Sequence, residues 1–357
     1  SYNSSNTGTK LIREFTGIPW GNYIWKVQTI DPSGVVSEWS NEKELFIPRL
    51  VKSFQSIPGY SYGISRWSDI NNDNLLDLAI TGNLYTGSSK TQIYLNEDGI
   101  LNVNNLQPQM ANVYGGHLSF VDYNNDGFLE ISMSGLATVN FSTFTALLLY
   151  KWENGTYVLD DDENQLSITD GYWGGQYNHD WADYDNDGNL DLFFTTVYGV
   201  ASFGRKNNPV LFRNQGDFKF INANTEAKLE GLGTTYQAAW ADFDNDGDLD
   251  LMSAGRFFVN NNENNNHWLK IQLLSNKKTI NRFAIGAQVR VTLKDGKILI
   301  RQVESGTGQG NQNDLVLHYG LGSNNDPVDL NIFLPDGTTE ILKQVQIDQR
   351  LKIETKS

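Results

Sequence analysis

A short acidic stretch that occurs four times constrains the fold of this chain more than any other feature. Its last copy, residues 240–251, reads WADFDNDGDLDL. Aspartates occupy positions 1, 3, 5 and 9 of a short loop, and glycine occupies position 6, where the chain must turn sharply. Carboxylates this close repel one another unless a cation joins them. Because Ca²⁺ takes six to eight hard oxygen ligands, the stretch predicts a calcium loop.

Three further copies lie upstream, and the first ligands of successive loops are 53, 61 and 59 residues apart. We number them loops 1 to 4 in chain order and expect about four calcium sites. Position 7 would contribute its main-chain carbonyl, and the other positions would contribute side-chain oxygens. The predicted ligands are Asp69, Asn71, Asp73, Leu75 and Asp77 in loop 1; Asp122, Asn124, Asp126, Phe128 and Glu130 in loop 2; Asp183, Asp185, Asp187, Asn189 and Asp191 in loop 3; and Asp242, Asp244, Asp246, Asp248 and Asp250 in loop 4.

Each loop lies between two stretches that have the features of β-strands. An aromatic residue stands two positions before the first ligand, and an apolar, strand-like run follows the loop. In the first three repeats a second hairpin signal with a glycine comes later. One repeat therefore reads strand, metal loop, strand, loop, strand, glycine turn, strand. Four antiparallel strands in this order form a propeller blade, so the repeats predict a β-propeller or part of one.

Two other interpretations of the loops remain open. EF-hands and dockerin segments share the early Asp-x-Asp-x-Asp-Gly pattern, but both need flanking helices, and an EF-hand needs a glutamate at position 12. A metal-free acidic turn is the second alternative, above all for loop 1. Loops 1 and 2 carry neutral Asn71 and Asn124 at position 3, Asn74 stands where glycine is usual, and Glu130 is longer than aspartate. We therefore expect loops 3 and 4 to bind Ca²⁺ more tightly than loops 1 and 2.

The rest of the chain divides around these repeats and makes the whole chain all-β. Residues 1–48 predict strands, one of them over residues 23–31, and turns. Residues 49–265 hold the repeats, of which the fourth lacks its last strand. A strand around residues 50–55 could supply it and close a four-bladed ring, or residues outside this chain complete the ring. Residues 266–357 predict seven strands with tight turns at Asp295-Gly296 and Asp336-Gly337, a small β-sandwich or barrel.

Composition excludes several classes of function. The net charge of −15 offers no basic patch that would neutralise phosphates, so nucleic acid is not an expected partner. The chain has no cysteine, which excludes disulfides and thiolate sites. No apolar run reaches the length that a membrane span needs, so membrane insertion is not expected. The first residues do not read as a signal peptide, and we expect a processed chain or a piece of a longer one.

Signals for catalysis are weak. His117 and His179 stand at nearly equivalent places before loops 2 and 3, and a packing role is favoured over a catalytic one. No Gly-x-Ser-x-Gly elbow is present, and Gly306-x-Gly308-x-Gly310 has no helix after it to cradle a phosphate. Aromatic residues beside glycines, at Tyr114-Gly-Gly and Tyr172-Trp-Gly-Gly, favour packing between blades, with sugar stacking as the alternative.

The repeats resemble the FG-GAP/VCBS family, the calcium-binding blades of integrin-type propellers, and all four carry the motif. The last domain resembles the ASPIC/UnbV family, which follows such repeats in the cartilage acidic protein family. Its matching phrases are NHWL at 266–269, RFAIGA at 282–287, RQVESG at 301–306, LHYGLG at 317–322 and LPDG at 334–337. GNYIWKVQ at 21–28, DPSG at 31–34 and SEWS at 37–40 resemble the last strands of a fibronectin type III or related immunoglobulin-like domain, of which about half is present.

These resemblances imply a secreted or cell-surface protein for adhesion or recognition, without established catalysis. The arrangement is similar to that of secreted proteins of Bacteroidota. A glycan or another surface protein would be the partner, in a larger chain or a surface assembly. Two alternatives remain: a calcium-dependent polysaccharide lyase or hydrolase, which needs a base beside a calcium ion, and a structural spacer in a surface assembly.

Overall fold

The structure, a computed structural model, describes residues 19, 21–30, 33–47, 55–104, 110–139, 142–153, 156–160, 177–196, 209–216, 219–307 and 311–355. Regular structure among these residues consists of β-strands, so the predicted all-β class is confirmed. Within this part of the chain, no helix is both long and apolar enough to pass through a bilayer. The chain divides into two compact units, Ser1–Ile57 and Pro58–Ser357, which we describe separately.

The first unit contains one antiparallel pair, β1 (Gly21–Trp25) and β2 (Lys43–Ile47). The strand predicted over residues 23–31 is shorter than expected. Beyond β1 the pairing continues partly through side chains, because the hydroxyls of Ser40 and Ser37 accept the backbone N–H groups of Val27 and Thr29. The strand predicted around residues 50–55 lies outside the described residues except for its last position.

The first three repeats each form a four-stranded antiparallel sheet in chain order, as predicted, and the described part of the fourth has three strands. We call them sheets 1 to 4. Sheet 1 contains β3 (Tyr60–Ser68), β4 (Asp77–Leu84), β5 (Ser89–Glu97) and β6 (Ile100–Val103); sheet 2 contains β7 (Val113–Val121), β8 (Glu130–Val139), β9 (Ser142–Glu153) and β10 (Thr156–Leu159); sheet 3 contains β11 (Tyr177–Ala182), β12 (Asp191–Thr196), β13 (Val210–Asn214) and β14 (Phe220–Asn222); and sheet 4 contains β15 (Ala238–Ala241), β16 (Asp250–Ser253) and β17 (Arg256–Phe258).

All four loops occupy the same place in their sheets. In each repeat the first ligand follows directly on the last residue of the first strand, and the position-9 residue begins the second strand. The first strands β3, β7, β11 and β15 pack against one another in series. Apolar side chains from neighbouring sheets form shared cores between sheets 1 and 2, 2 and 3, and 3 and 4. This stacking brings the four loops to one side of the repeats.

The C-terminal domain, residues 267–355, has two sheets and its own apolar core. The first sheet has the order β21-β18-β24 and the second β20-β19-β22-β23. The predicted turns are present, with Gly296 and Gly337 in the left-handed region at φ 94° and 78°. Its strands are β18 (His267–Ser275), β19 (Gln288–Thr292), β20 (Ile298–Gln302), β21 (Leu317–Gly322), β22 (Val328–Phe333), β23 (Thr339–Val345) and β24 (Gln349–Thr355), in line with the seven predicted.

A segment of the C-terminal domain, residues 302–314, contacts both the first and the last sheet of the repeats. Gln302 accepts a hydrogen bond from the Ser68 hydroxyl (2.8 Å) in sheet 1. In sheet 4, the N–H of Trp240 donates to Asn313 (2.9 Å), and the Trp240 carbonyl accepts the N–H of Asp314 (3.1 Å). The C-terminal domain therefore links sheet 1 to sheet 4 within the second compact unit.

Candidate metal centre

The first ligand of each loop is a buried aspartate that is held by the backbone of its own loop. In loops 3 and 4, the N–H of the position-6 glycine donates to Oδ2 of Asp183 and of Asp242, at 3.0 Å in both. In loop 2, Oδ1 of Asp122 accepts the N–H of Asp126 at 3.1 Å. The other oxygen is buried without a hydrogen-bond partner in each case: Oδ2 of Asp122, Oδ1 of Asp183 and Oδ1 of Asp242.

Loops 3 and 4 each gather three carboxylates. Oxygens of Asp183, Asp185 and Asp187 lie within 4.8 Å of one another, and those of Asp242, Asp244 and Asp250 do the same. Such a group can hold a metal ion. Among the described residues, no comparable set of three acidic groups forms in loops 1 and 2, where asparagine takes position 3.

The asparagine at position 3 changes how loops 1 and 2 are bonded. Nδ2 of Asn71 donates to Asp73 (2.9 Å), and Nδ2 of Asn124 donates to Asp126 (3.0 Å). An aspartate at this position has no N–H to donate. The position-5 carboxylate therefore accepts a side-chain amide from position 3 in loops 1 and 2. In loops 3 and 4 position 3 is a second negative charge, and in loop 3 Asp187 accepts an amide from Asn189 at position 7 instead (3.1 Å).

Two left-handed residues shape every loop. Position 6 has φ of 90° at Gly127, 90° at Gly188 and 101° at Gly247, and Asn74 takes the same turn with φ 69°. The expectation that Asn74 preserves the turn is consistent with this geometry. Position 4 is asparagine in all four loops and is also left-handed, with φ between 58° and 64°. Asparagine tolerates this region better than most residues, which explains its recurrence at Asn72, Asn125, Asn186 and Asn245.

The position-4 side chains connect each loop to a neighbour, a role that the spacing of the acidic residues did not reveal. Asn125 donates to Asn189 of loop 3 (2.9 Å), and Asn186 donates to Asp248 of loop 4 (2.7 Å). Asn72 instead accepts from Arg290 of the C-terminal domain. The sequence signal for these contacts is the asparagine repeated at one loop position.

The position-9 carboxylate joins position 2 of its own loop to the third strand of its sheet or, in sheet 4, to Asn260 just after that strand. In loop 3, Asp191 accepts the N–H of Tyr184 (3.1 Å) through one oxygen and that of Asn214 (2.8 Å) through the other. Loops 1 and 4 repeat both contacts, and loop 2 repeats them through Glu130 with the main chain of Trp152 as the second partner. The predicted ligands at position 9 therefore also fasten the sheet.

A third-strand asparagine, which was also not anticipated, connects successive sheets. The side chain of Asn214 donates to the Tyr123 carbonyl of loop 2 (2.8 Å) as well as to its own Leu190 (3.1 Å). Asn260 donates in the same way to the Tyr184 carbonyl of loop 3 (2.6 Å). Sheets 3 and 4 are thereby fixed to the loop of the preceding sheet.

Burial raises the pKa of several loop carboxyls. It raises the pKa of Asp183 to about 8 and that of Asp122 to about 7, with neighbouring loop carboxylates adding to the effect. The pKa values of Asp77 and Asp185 rise to about 6 for the same main reason. The raised pKa values of Asp122 and Asp183, together with the unpartnered oxygen of each, fit a metal ion in loops 2 and 3. The position-7 carbonyl ligands stay a prediction.

The two histidines before loops 2 and 3 lie together in the interior. The rings of His117 and His179 are 4.9 Å apart and nearly edge to face. His179 is bonded to the hydroxyls of Ser132 (2.7 Å) and Ser134 (2.8 Å), and burial lowers the pKa of both histidines. They have a packing role, as favoured. The segments at 172–175 and 308–310 lie outside the described residues.

Comparisons with known proteins match both parts of the chain. The FG-GAP-like repeat model matches residues 197–253, and the ASPIC and UnbV model matches residues 277–357. Cartilage acidic protein 1 of Homo sapiens is 30% identical over 164 residues, which cover 44% of this chain and 24% of that protein. The proteins of that name from Mus musculus (30%) and Xenopus tropicalis (29%) match 44% of this chain and 25% of their own length. The match spans about a quarter of these relatives. The predicted resemblances to FG-GAP repeats and to the ASPIC/UnbV domain are confirmed, and the fibronectin-like resemblance of residues 21–40 stays a prediction.

Proposed function

Because the chain carries an FG-GAP-like repeat and an ASPIC and UnbV domain, we propose that it is a secreted or cell-surface recognition protein stabilised by Ca²⁺. One observation carries the proposal most directly. In loops 2, 3 and 4, a buried first-ligand aspartate presents one oxygen without a hydrogen-bond partner. In loops 3 and 4, two further carboxylates lie within 4.8 Å of it.

The donor set favours Ca²⁺ over other metals. The side-chain groups are carboxylates and amide oxygens, and the loops contain neither cysteine nor histidine. Oxygen ligands in an irregular loop suit Ca²⁺, whereas Zn²⁺ and copper prefer nitrogen and sulphur. Extracellular modules bind Ca²⁺ with Kd of about 10⁻⁴–10⁻³ M, which matches a protein that works outside cells.

The calcium ions would be structural. At roughly 1 mM Ca²⁺ and a Kd of about 10⁻⁴ M, each site stabilises the folded state by about 1.4 kcal/mol. Four sites would contribute about 5–6 kcal/mol, comparable with the net stability of a whole domain. Stabilisation of this size is sufficient to explain why the loops are retained in every repeat, without any catalytic role.

Catalysis by Lys270 and His318, two buried basic neighbours of the loops, is disfavoured by their placement. Lys270 and His318 lie next to loops 4 and 3, but they are only 3% and 8% exposed and are bonded to loop residues. The cavity they line between the sheets and the C-terminal domain has a volume of about 140 Å³. Ligand pockets usually measure roughly 300–1,000 Å³, so a polysaccharide chain does not fit into this cavity. Two larger clefts, of about 430 and 460 Å³, lie beside loop 3, and the depolymerisation assay below covers them.

The recognition surface would lie at the ends of the sheets that face away from the loops. Tyr62 near the start of β3 and Tyr85 after β4 are 71% and 98% exposed. Tyr62 also has a left-handed φ of 49°, which is uncommon for a bulky residue and points to a functional constraint. Exposed tyrosine rings offer an apolar face with a polar end, a combination suited to a glycan or a protein surface.

A glycan array with the wild-type protein and a Tyr62→Ser/Tyr85→Ser variant tests this function. We expect calcium-supported binding to one glycan class, with at least about tenfold weaker binding by the variant. A depolymerisation assay on the same glycans is the control. Cleavage that EDTA abolishes would contradict a non-catalytic role. Absence of glycan binding, together with a stoichiometric complex with a large surface protein, would favour a structural spacer.

A further inference from the structure

The C-terminal domain contacts the first carboxylate of loop 3 through neutral backbone groups. Alternate residues of β21 face this loop, since side chains and backbone groups repeat every second residue along a strand. The N–H of Gly320 donates to Oδ2 of Asp183 at 3.1 Å, and the N–H of Gly322 donates to the Asn186 carbonyl at 2.9 Å. A Cβ on Gly320 would lie 2.2 Å from the Asp183 carboxylate, so this approach requires glycine.

At loop 4 the same domain contributes a charged group. Nζ of Lys270, from β18, donates to Oδ2 of Asp242, and both side chains are almost completely buried. Nζ also lies 3.5 Å from Oδ1 of Asn245 in the same loop. Trp268, two residues earlier on β18, packs its indole so closely on Gly247 that no side chain fits there. The C-terminal domain therefore covers the buried part of loop 4, around Asp242 and Gly247, and places an ammonium group there.

The Gly320 N–H and the Lys270 ammonium group both donate to Oδ2 of the first aspartate of their loop. Oδ2 of Asp183 and of Asp242 also accepts the N–H of the position-6 glycine, and Oδ1 has no hydrogen-bond partner in either loop. The oxygen that is free to bind a metal ion is therefore Oδ1 in both loops. Loops 3 and 4 have aspartate at positions 1, 3, 5 and 9 alike. They differ at position 7, which is Asn189 in loop 3 and Asp248 in loop 4, and in whether the C-terminal group that bonds the first ligand is neutral or positive.

Resting on the proposed calcium binding, we propose that Lys270 weakens calcium binding at loop 4. A hydrogen-bond donor to the carboxylate oxygen that does not face the metal fixes the orientation of a metal ligand. The Gly320 N–H does this without adding charge, whereas the Lys270 ammonium also cancels part of the negative charge that attracts Ca²⁺. The pair is buried, so salt screens it little. The C-terminal domain therefore lowers the calcium affinity of loop 4 through Lys270, whereas its hydrogen bond to the first ligand of loop 3 adds no charge.

Arg301 is the other cation to consider, because its charge acts on Asp183 and Asp122. Its Nη1 donates to the Ile300 carbonyl, and its Nε and Nη2 have no hydrogen-bond partner, so none of these bonds a loop carboxylate. Lys270 makes direct contact with Asp242. At an effective dielectric constant of about 20, Coulomb energy falls as the inverse of distance, and a contacting charge has the larger effect.

The test is a calcium titration by calorimetry on the full chain, with Lys270→Met and Lys270→Gln compared with wild type. We expect the calcium Kd of one class of site to fall about tenfold or more in both variants, with the number of sites unchanged. The glutamine variant retains an N–H donor without charge and thus imitates Gly320. Adding Asp246→Ala should remove the tightened class and thereby assign it to loop 4. Lys297→Met, whose Nζ lies 3.5 Å from Asn189 of loop 3, is the matched control.

The outcomes separate this inference from the proposed function. If no variant and no wild-type protein binds Ca²⁺, the proposed function fails. If wild type binds Ca²⁺ but neither Lys270 variant tightens a site, or the affinity falls, the inference is overturned. Should Lys270→Met not fold without metal, the Lys270→Gln titration decides, since its amide still donates to Asp242.

Discussion

Loop 1 and loop 3 have nearly the same backbone, with left-handed residues at positions 4 and 6, yet they differ at position 3. In loop 1, Asn71 accepts the N–H of Asp73 and donates its amide to the Asp73 carboxylate. In loop 3, Asp185 accepts the N–H of Asp187 in the same way. Its side chain is a carboxylate, however, so three carboxylates lie close together in that loop. One amide in place of a carboxylate thus gives loop 1 an internal hydrogen bond from position 3, and loop 3 one more negative charge, although both turns have the same shape.

Removal of calcium should have the largest effect. With EGTA, we expect the melting temperature to fall by about 10 °C or more, because about 5–6 kcal/mol of binding free energy is lost. Calorimetry or circular dichroism at matched ionic strength gives the measurement, and Mg²⁺ in place of Ca²⁺ is the control. An unchanged melting temperature would mean that all four loops behave as we describe for loop 1.

The pH dependence of the metal-free protein should be the next largest effect. The pKa of Asp183 is raised by burial to about 8 in the folded state, above its ordinary value of about 4. Its contribution to stability is therefore present below pH 4 and lost as the pH rises to 8. In EGTA, we expect lower stability at pH 8 than at pH 5, measured by urea unfolding.

A matched pair of variants assigns this dependence to a loop. Asp183→Asn should reduce the pH dependence of the free energy of unfolding more than Asp69→Asn does, because both oxygens of Asp69 already accept backbone N–H groups. If the two variants reduced this pH dependence equally, the expected difference between Asp69 of loop 1 and Asp183 of loop 3 would be contradicted.

Exchange of the position-3 residue should have the smallest effect and tests the comparison most directly. Asn71→Asp removes the amide donor to Asp73 and adds a carboxylate, so the metal-free protein should lose about 1 kcal/mol. That corresponds to roughly 2–4 °C in melting temperature. The stabilisation by Ca²⁺ should increase by a similar amount. Asp185→Asn in loop 3 is the reciprocal control and should reduce the stabilisation by Ca²⁺.

The sequence was most informative where the structure depends on local geometry. The acidic spacing located all four loops, and the alternation of strands and turns predicted three four-stranded sheets and the seven strands of the C-terminal domain. Asn74 was correctly expected to take a glycine-like turn. These features depend on backbone conformation and on neighbours close in sequence, and both leave a mark in the order of residues.

Contacts between distant segments could not be predicted in the same way. Lys270 meets Asp242 and Gly320 meets Asp183 only because the C-terminal domain packs on the loops, and no local pattern specifies that orientation. The recurring asparagines at position 4 and in the third strands were visible as repeats, but their partners lie in the next sheet. The strand predicted over residues 23–31 was too long because serine hydroxyls replace backbone partners after Trp25.

The contacts of residues 302–314 with sheets 1 and 4 have a consequence for how a protein of this kind can change its length. Gln302 bonds Ser68 and Trp67 in the first sheet, while Asn313 and Asp314 bond Trp240 in the last. A repeat inserted between these sheets would carry one anchor away from the other by the width of a sheet. The C-terminal domain therefore limits the number of repeats that fit between its two contact points. Duplication of a single repeat would require a longer segment between Gln302 and Asn313.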